Sequence, residues 1–205
     1  MEFKNRTEAG QLLAKELSAY ANRKDAVVVA LPRGGVPVGF EIAKALNLPL
    51  DVFPVRKLGV PGFEELAMGA IASGGFRIIN EDVVRSHHIS SDAIDRVAER
   101  ERRVLKRREH LYRYGYPALD VYDSTVILVD DGIATGSTMR AAILALQQQQ
   151  PDRILVAVPI ASLETCAQIE PKVDEVICLL KLPHIYAVGR WYENFPQVTD
   201  KQVQY

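Results

Sequence analysis

The 205-residue chain has two cysteines, one tryptophan and four histidines. Cys166 and Cys178 are too few for a disulfide framework and belong to no Cys-x-x-Cys, so reduced thiols in a cytoplasm are the expectation. No apolar run approaches the ~20 residues of a membrane-crossing helix. The opening Met1-Glu-Phe-Lys-Asn-Arg-Thr-Glu8 is polar and acidic, so no secretory leader is expected. An excess of one charge is also missing. The 25 Lys and Arg face 26 Asp and Glu, so no overall basic field draws the chain to nucleic acid or to a membrane. His87 and His88 are adjacent, with no further ligand at metal-binding spacing, and are assigned no metal. No Gly-Lys-Ser/Thr closes a Walker A loop, and no Gly-x-Gly-x-x-Gly marks a dinucleotide site.

At 48% hydrophobic and 25% charged residues, the chain can bury a proper core. Apolar strand candidates recur at 26–31, 50–55, 125–129, 153–158 and 174–179, with helix-like stretches between most of them. That alternation predicts an α/β domain, a parallel sheet with helices on both faces. Residues 7–21 read as a helix that Thr7 can cap. The run Gln147–Gln150 is a helix end stopped by Pro151.

Val126-Ile-Leu-Val129 is an uninterrupted apolar run, as in a parallel strand buried on both faces. It delivers adjacent carboxylates, Asp130 and Asp131, to a loop holding Gly132, Thr135, Gly136, Ser137 and Thr138, and a helix follows from Met139. Glycines let the backbone approach a ligand closely. Hydroxyls and the unpaired N–H groups of a helix start favour an anion. Carboxylates beside such a cradle suit a ligand with hydroxyls at one end and phosphate at the other, and ribose 5-phosphate is one. A bare structural role for two neighbouring acids is unfavourable without a cation or a donor.

Residues 26–31 repeat the pattern: an apolar strand, the turn Pro32-Arg33-Gly34-Gly35, then a helix over 36–46 with Pro37 in its first turn. The turn leaves backbone N–H groups beside one guanidinium; a capped turn with a solvated Arg is the plainer alternative. An alternating strand at 50–55 ends in two cations, Arg56 and Lys57, before a Gly/Pro loop, where a surface charge pair is an equal alternative. Residues 64–79 read as a hairpin turning at Ser73-Gly74-Gly75, a candidate arm that closes over a substrate.

The segment Val126–Thr138 resembles the phosphoribosyl-pyrophosphate (PRPP) motif of the type I phosphoribosyltransferases. The resemblance implies one domain with a Rossmann-like parallel sheet flanked by helices, a hood from about 180–205 and a helical insertion at about 90–115. It implies that Asp130 and Asp131 form the catalytic centre and hold the ribose hydroxyls. Ala134, Thr135, Gly136, Ser137 and Thr138 would wrap the 5-phosphate; Arg33, Gly34 and Gly35, with Arg56 and Lys57, would take the pyrophosphate. This family's pyrophosphate loop often holds a strained peptide bond before a Gly, so strain is expected near Arg33–Gly34. Mg²⁺ is the implied cofactor, and a homodimer is implied by analogy alone. Pro183–Phe195 is similar to the base-pocket segment of relatives acting on 6-oxopurines. There Glu193 matches an acid near Mg²⁺, and Trp191, Tyr192 and Phe195 offer flat faces to an acceptor base, with core packing of Trp191 an equal alternative. Two departures stand out. Those relatives carry a loop acid where this chain has Ala134, and a Lys in the segment that is here Val158-Pro-Ile-Ala-Ser162.

Residues 91–114 read as a basic helix, capped by Ser90 or Ser91 and stopped by Gly115, with pairs such as Glu99–Arg103 at helical spacing. A solvated helix, or a cover whose cations draw PRPP inward, both fit; a nucleic-acid face lacks the stacking aromatics. The leading functional reading is a Mg²⁺-dependent transfer of the 5-phosphoribosyl group from PRPP to a base-like acceptor. A PRPP-sensing regulator without turnover and an enzyme of another phosphorylated pentose are the alternatives.

Overall fold

The computed structural model describes residues 2–204. In chain order its elements begin α1 (Arg6–Glu16), β1 (Ala26–Ala30), α2 (Gly35–Leu46), β2 (Leu50–Val52), β3 (Val55–Val60), β4 (Phe63–Ala72), β5 (Phe76–Ile79) and α3 (Glu81–Ser86). They continue with α4 (Ser91–Arg113), β6 (Thr125–Val129), α5 (Ser137–Gln147), β7 (Arg153–Ser162), α6 (Leu163–Ile169), β8 (Glu175–Leu182) and α7 (Asp200–Gln204). The chain separates into two compact units. One gathers the residues up to Val52, Leu119–Gly136 and those from Gln150 onward; the other comprises Phe53–Ala118 and Ser137–Gln149.

The first unit holds a five-stranded parallel sheet in the order β2-β1-β6-β7-β8. β1 and β6 are buried along their whole length, which their unbroken Val/Ile/Leu runs require. Leu13 of α1, Leu17 just after it, and Val38, Ile42 and Leu46 of α2 cover Val28, Ile127, Val129 and Leu155 on one face of the sheet. Each such side chain contributes roughly 1.5–3 kcal/mol when removed from water. Counted within this sheet, the strand order is 2-1-3-4-5, so the connections diverge between β1 and β6. In open α/β sheets the crevice beyond the carboxyl ends of the two strands flanking such a switch is where ligands bind.

Several boundaries differ from expectation for local reasons. α1 is capped by Asn5, whose side chain accepts the Glu8 N–H at 2.9 Å, so Thr7 lies inside the helix. That helix ends at Glu16, and a single 3₁₀ turn, Ser18–Tyr20, replaces the expected continuation to 21. The expected strand at 50–55 breaks at Phe53-Pro54: β2 stays in the parallel sheet, and β3 starts a different, antiparallel one. Proline has no N–H for a ladder, which suits it to that break. β7 runs on to Ser162, and α5 begins at Ser137, two residues earlier than expected.

The second unit is built on the antiparallel sheet β3-β4-β5. The turn Ser73-Gly74-Gly75 joins β4 and β5 as expected, with both glycines at positive φ (87° and 82°). α4 starts at a Ser90 cap that accepts the Ala93 N–H at 3.2 Å. It lays Ile94, Val97, Ala98 and Leu105 on Leu58, Val60, Met68 and Ile71. On the same buried face stands an acid, Glu101, which accepts Arg56 Nε at 2.7 Å and lies 2.7 Å from its Nη2. At the far end of α4, Arg113 Nη1 donates to Ser73 Oγ at 2.8 Å and Glu109 accepts the Gly74 N–H at 3.3 Å. The hairpin expected to act as a closing arm is thus fastened to α4 inside its own unit. Among the described residues no helix is long and apolar enough to cross a membrane.

Removing Arg56 leaves a carboxylate that is 11% exposed with only the longer contact to Arg100 Nε at 3.4 Å. Arg56→Met should therefore lower the free energy of unfolding by about 2 kcal/mol, read as a shifted midpoint in urea titration. An unchanged midpoint would show that the pair carries no stability.

Candidate functional site

The site is assembled by strand register. Ala30, the last residue of β1, lies opposite Val129, the last of β6, and Leu31 N–H donates to the Val129 carbonyl at 2.9 Å. The loops that follow, Pro32–Gly35 and Asp130–Gly136, therefore leave the sheet side by side. Their contact is too close for side chains. A Cβ on Gly35 would sit 2.7 Å from the Val129 carbonyl oxygen and 2.9 Å from Asp130 Cα, and one on Gly34 would collide with the Asp131 carboxylate. The Arg33–Gly35 turn and the acid pair are thus brought together. The peptide bond that departs from the ordinary is Pro32–Arg33, which is cis. It lies one bond before Arg33–Gly34, and Gly34 has helical φ −62° and ψ −32°. Gly35 N–H is also not free, because it donates to the Leu31 carbonyl at 3.0 Å. Arg33 is half-buried, with Nη1 3.9 Å from Asp200.

The two acids are held differently. Asp130 Oδ1 accepts the backbone N–H of Asp131 at 2.8 Å. Burial pushes the Asp130 carboxyl well above the usual carboxylate range, and the Asp131 charge adds to the shift. Asp131 Oδ2 takes Arg6 from the start of α1, with Nε and Nη2 each at 2.9 Å. Tyr192 Oη donates to the Asp131 carbonyl at 2.6 Å.

Beyond the acids the loop is pinned to the end of β7. Gly132 packs where a Cβ would meet Val188 and Ile160, and Ile133 N–H donates to the Ile160 carbonyl at 2.9 Å. Thr165 Oγ1 donates to the Ala134 carbonyl at 3.1 Å, and Ser162 Oγ donates to Thr165 Oγ1 at 2.8 Å. Thr135 is exposed, and Gly136 turns the chain at φ 76°. Ser137 and Thr138 form the first turn of α5, in the second unit.

Arg56 and Lys57, expected at the end of the strand before a Gly/Pro loop, lie near the start of β3, also in the second unit. Arg56 is engaged by Glu101, and Lys57 Nζ reaches the Glu65 carbonyl at 3.2 Å and its carboxylate at 3.7 Å. At the C-terminal segment, Tyr192 is 4% exposed and its ring packs against Phe3 (centroids 5.5 Å) and Phe195 (4.8 Å). It offers no open face. Trp191 is half-buried, and its carbonyl accepts the Phe3 N–H at 2.9 Å. Glu193 projects an exposed side chain while its N–H donates to the Phe3 carbonyl at 2.8 Å.

Sequence reading missed Arg6, Phe3, Ser162 and Thr165. Nothing near Arg6 in the chain marks it, since its partners are Asp131 and Pro196. The Ser162-x-x-Thr165 spacing does signal a helix start, but not that the helix would hold the Ala134 carbonyl.

The phosphoribosyl transferase domain model matches residues 3–190. The chain belongs to the phosphoribosyl transferase family. A Mycobacterium tuberculosis protein provisionally named a phosphoribosyl transferase is 44% identical over 201 residues, 98% of this chain but 45% of that protein. The chain thus spans less than half the length of that curated relative. The crystal structure of the TT1426 protein from Thermus thermophilus superposes at a TM-score of 0.90 with 40% identity, over 100% of this chain and 96% of that one. A Staphylococcus aureus hypoxanthine phosphoribosyltransferase, 16% identical, shares the fold at a TM-score of 0.50 over 89% of this chain and 77% of that one. A parallel sheet flanked by helices is the architecture this chain shares with such proteins.

The raised Asp130 carboxyl has a consequence for stability. Above the ordinary carboxyl value of 3.8 the folded chain holds a proton that the unfolded chain has released, so this group's contribution falls as pH rises from about 4 through the raised value. Asp130→Asn should therefore be more stable than the parent chain at about pH 7, with the difference vanishing below about pH 4, as thermal midpoints would show.

Proposed function

We propose that the chain binds PRPP and transfers its 5-phosphoribosyl group to a base-like acceptor, releasing pyrophosphate. The observation that carries this reading is the packing of Gly34 and Gly35 directly on Asp130 and Asp131 at the switch point between β1 and β6. PRPP has a diol between a phosphate and a pyrophosphate. The acids suit the diol. Ala134, Thr135 and Gly136, followed in the chain by Ser137 and Thr138, suit the 5-phosphate. Arg33 with the Gly34–Gly35 backbone suits the pyrophosphate. Arg56 and Lys57 are held by Glu101 and Glu65, so the pyrophosphate role falls first on Arg33.

In this reading no side chain attacks C1. The chain positions the donor and stabilises the charge that develops on departing pyrophosphate. The donor set also fits Mg²⁺. Asp130 and Asp131 are hard oxygen ligands; burial raises Asp130 most, and the Asp131 repulsion that adds to it is of the kind a cation relieves. Mg²⁺, when bound, supplies charge neutralisation to the pyrophosphate. Among the described residues no group of three or more His, Cys, Asp or Glu gathers at one point, which suits an ion that takes most of its ligands from substrate and water. Glu193, exposed near Tyr192, is a further carboxylate for that ion.

The acceptor side holds fewer committed groups. Tyr192 is consumed by the core, Ala134 brings no acid, and Trp191 is the aromatic left to face a base. That sparseness favours a second reading, a PRPP-binding regulator without turnover. Pyrophosphate release across a panel of bases separates the two.

Titration calorimetry with PRPP and Mg²⁺ tests the donor assignment. Binding is expected for the parent chain, with affinity lowered at least ~10-fold in Asp131→Asn. Absence of binding, or equal binding by the variant, would sink it.

A further inference from the structure

The guanidinium of Arg6 is fully engaged although the residue belongs to no ligand-binding motif. Nε and Nη2 both reach Asp131 Oδ2 at 2.9 Å, and Nη1 donates to the Pro196 carbonyl at 2.7 Å. Its Cζ lies 3.7 Å from the centroid of the Phe195 ring. The side chains of Arg6 and Asp131 are only 9% and 14% exposed, so this pair is not a screened surface contact.

The pairing mode is informative. An arginine that only neutralises a carboxylate commonly takes both oxygens in a fork-to-fork bridge. Here both nitrogens converge on Oδ2, and the neighbouring Asp130 carboxyl is the other side chain hydrogen-bonded to Asp131. The guanidinium thus fixes the carboxylate through one oxygen and leaves Oδ1 outside the ion pair. The anchor cannot swing away freely, since Phe195 backs the guanidinium and Pro196 holds its third nitrogen. Tyr192 fixes the Asp131 backbone at the same time.

We propose that Arg6 is a positioning residue for sugar recognition: it sets the Asp131 carboxylate so that Oδ1 accepts a hydrogen bond from a hydroxyl of a ribose 5-phosphate unit. This rests on the PRPP reading above. Lysine would keep the charge but lose the planar fork that reaches Oδ2 and Pro196 together.

Calorimetry on the full chain with ribose 5-phosphate and its 2-deoxy and 3-deoxy counterparts tests the proposal, with inorganic phosphate as a control. The parent chain is expected to discriminate against loss of one hydroxyl by at least ~10-fold, and Asp131→Asn identifies which one by abolishing that discrimination. Arg6→Gln should reduce the same discrimination to within about twofold while phosphate affinity holds. Added to Asp131→Asn it should cost nothing further, since the two act as one unit. Should Arg6→Gln fail to fold, Arg6→Lys decides, with at least about fivefold of the discrimination lost. Full discrimination in the folded Arg6 variant would overturn the proposal and leave the PRPP reading intact. So would an equal loss for sugar phosphates and phosphate, the mark of a general structural role. A parent chain that binds none of these sugar phosphates would overturn the PRPP reading itself, and the Arg6 proposal with it.

Discussion

Two carboxylates in sequence at the mouth of a buried strand are the constraint around which the first unit is arranged. Burial disfavours ionisation of Asp130, and the Asp131 charge adds to the cost. The fold meets this cost unequally. Asp131 receives a full guanidinium, while Asp130 receives a backbone N–H and has its carboxyl pushed up. The pair is therefore ready for a ligand that brings both hydroxyl donors and a cation. The compensation comes from far along the chain. Arg6 stands at the first turn of α1, and the segment that backs it, Tyr192 to Pro196, comes near the other end. Phe3 joins the two by donating to the Trp191 carbonyl and accepting from the Glu193 N–H.

The second constraint is steric. Two loops can share one sugar only if their backbones approach within van der Waals distance, and side chains at positions 34 and 35 would prevent that. Gly34 has a φ open to any residue, so it is needed for space and not for conformation. The glycine between Thr135 and Ser137 is different: Gly136 turns at positive φ, where an L side chain is strained. The two loops thus use glycine for two unrelated physical reasons.

This division explains what could be read before the fold was known. The parallel sheet was legible because β1, β6 and most of β7 are unbroken apolar runs, and burial on both faces leaves no alternation to blur them. The turn at Ser73-Gly74-Gly75 was legible because its chemistry is local. The acid pair and the glycine loops were legible because a ligand site built at a strand end is contiguous in sequence. Arg6 was not legible, because its partners lie more than a hundred residues away and nothing within a few residues of it changes when that contact forms. Tyr192 and Arg56 were harder to place for the converse reason. An aromatic beside a loop and a cation after a strand suit a ligand as well as a core, and only packing decides. Phe3 and Phe195 claimed the first, and Glu101, a charged residue on the buried face of α4, claimed the second.

The contacts of these residues bear on the functional argument. Groups at the β1–β6 switch point converge: two acids, two glycines in contact with them, and one arginine committed to a single carboxylate oxygen. Groups proposed for the acceptor do not converge in the same way, since Tyr192 turns its hydroxyl to the Asp131 carbonyl and its ring to Phe3 and Phe195. A side chain used to orient the donor-binding acid is unavailable to stack on a base. The aromatic segment near the C-terminus is therefore a brace for the Asp131 loop, with Tyr192 as the link between that loop and the Phe3–Phe195 packing. In the proposed PRPP reading, contacts to an acceptor would then fall to Trp191 and to groups that sequence resemblance did not identify.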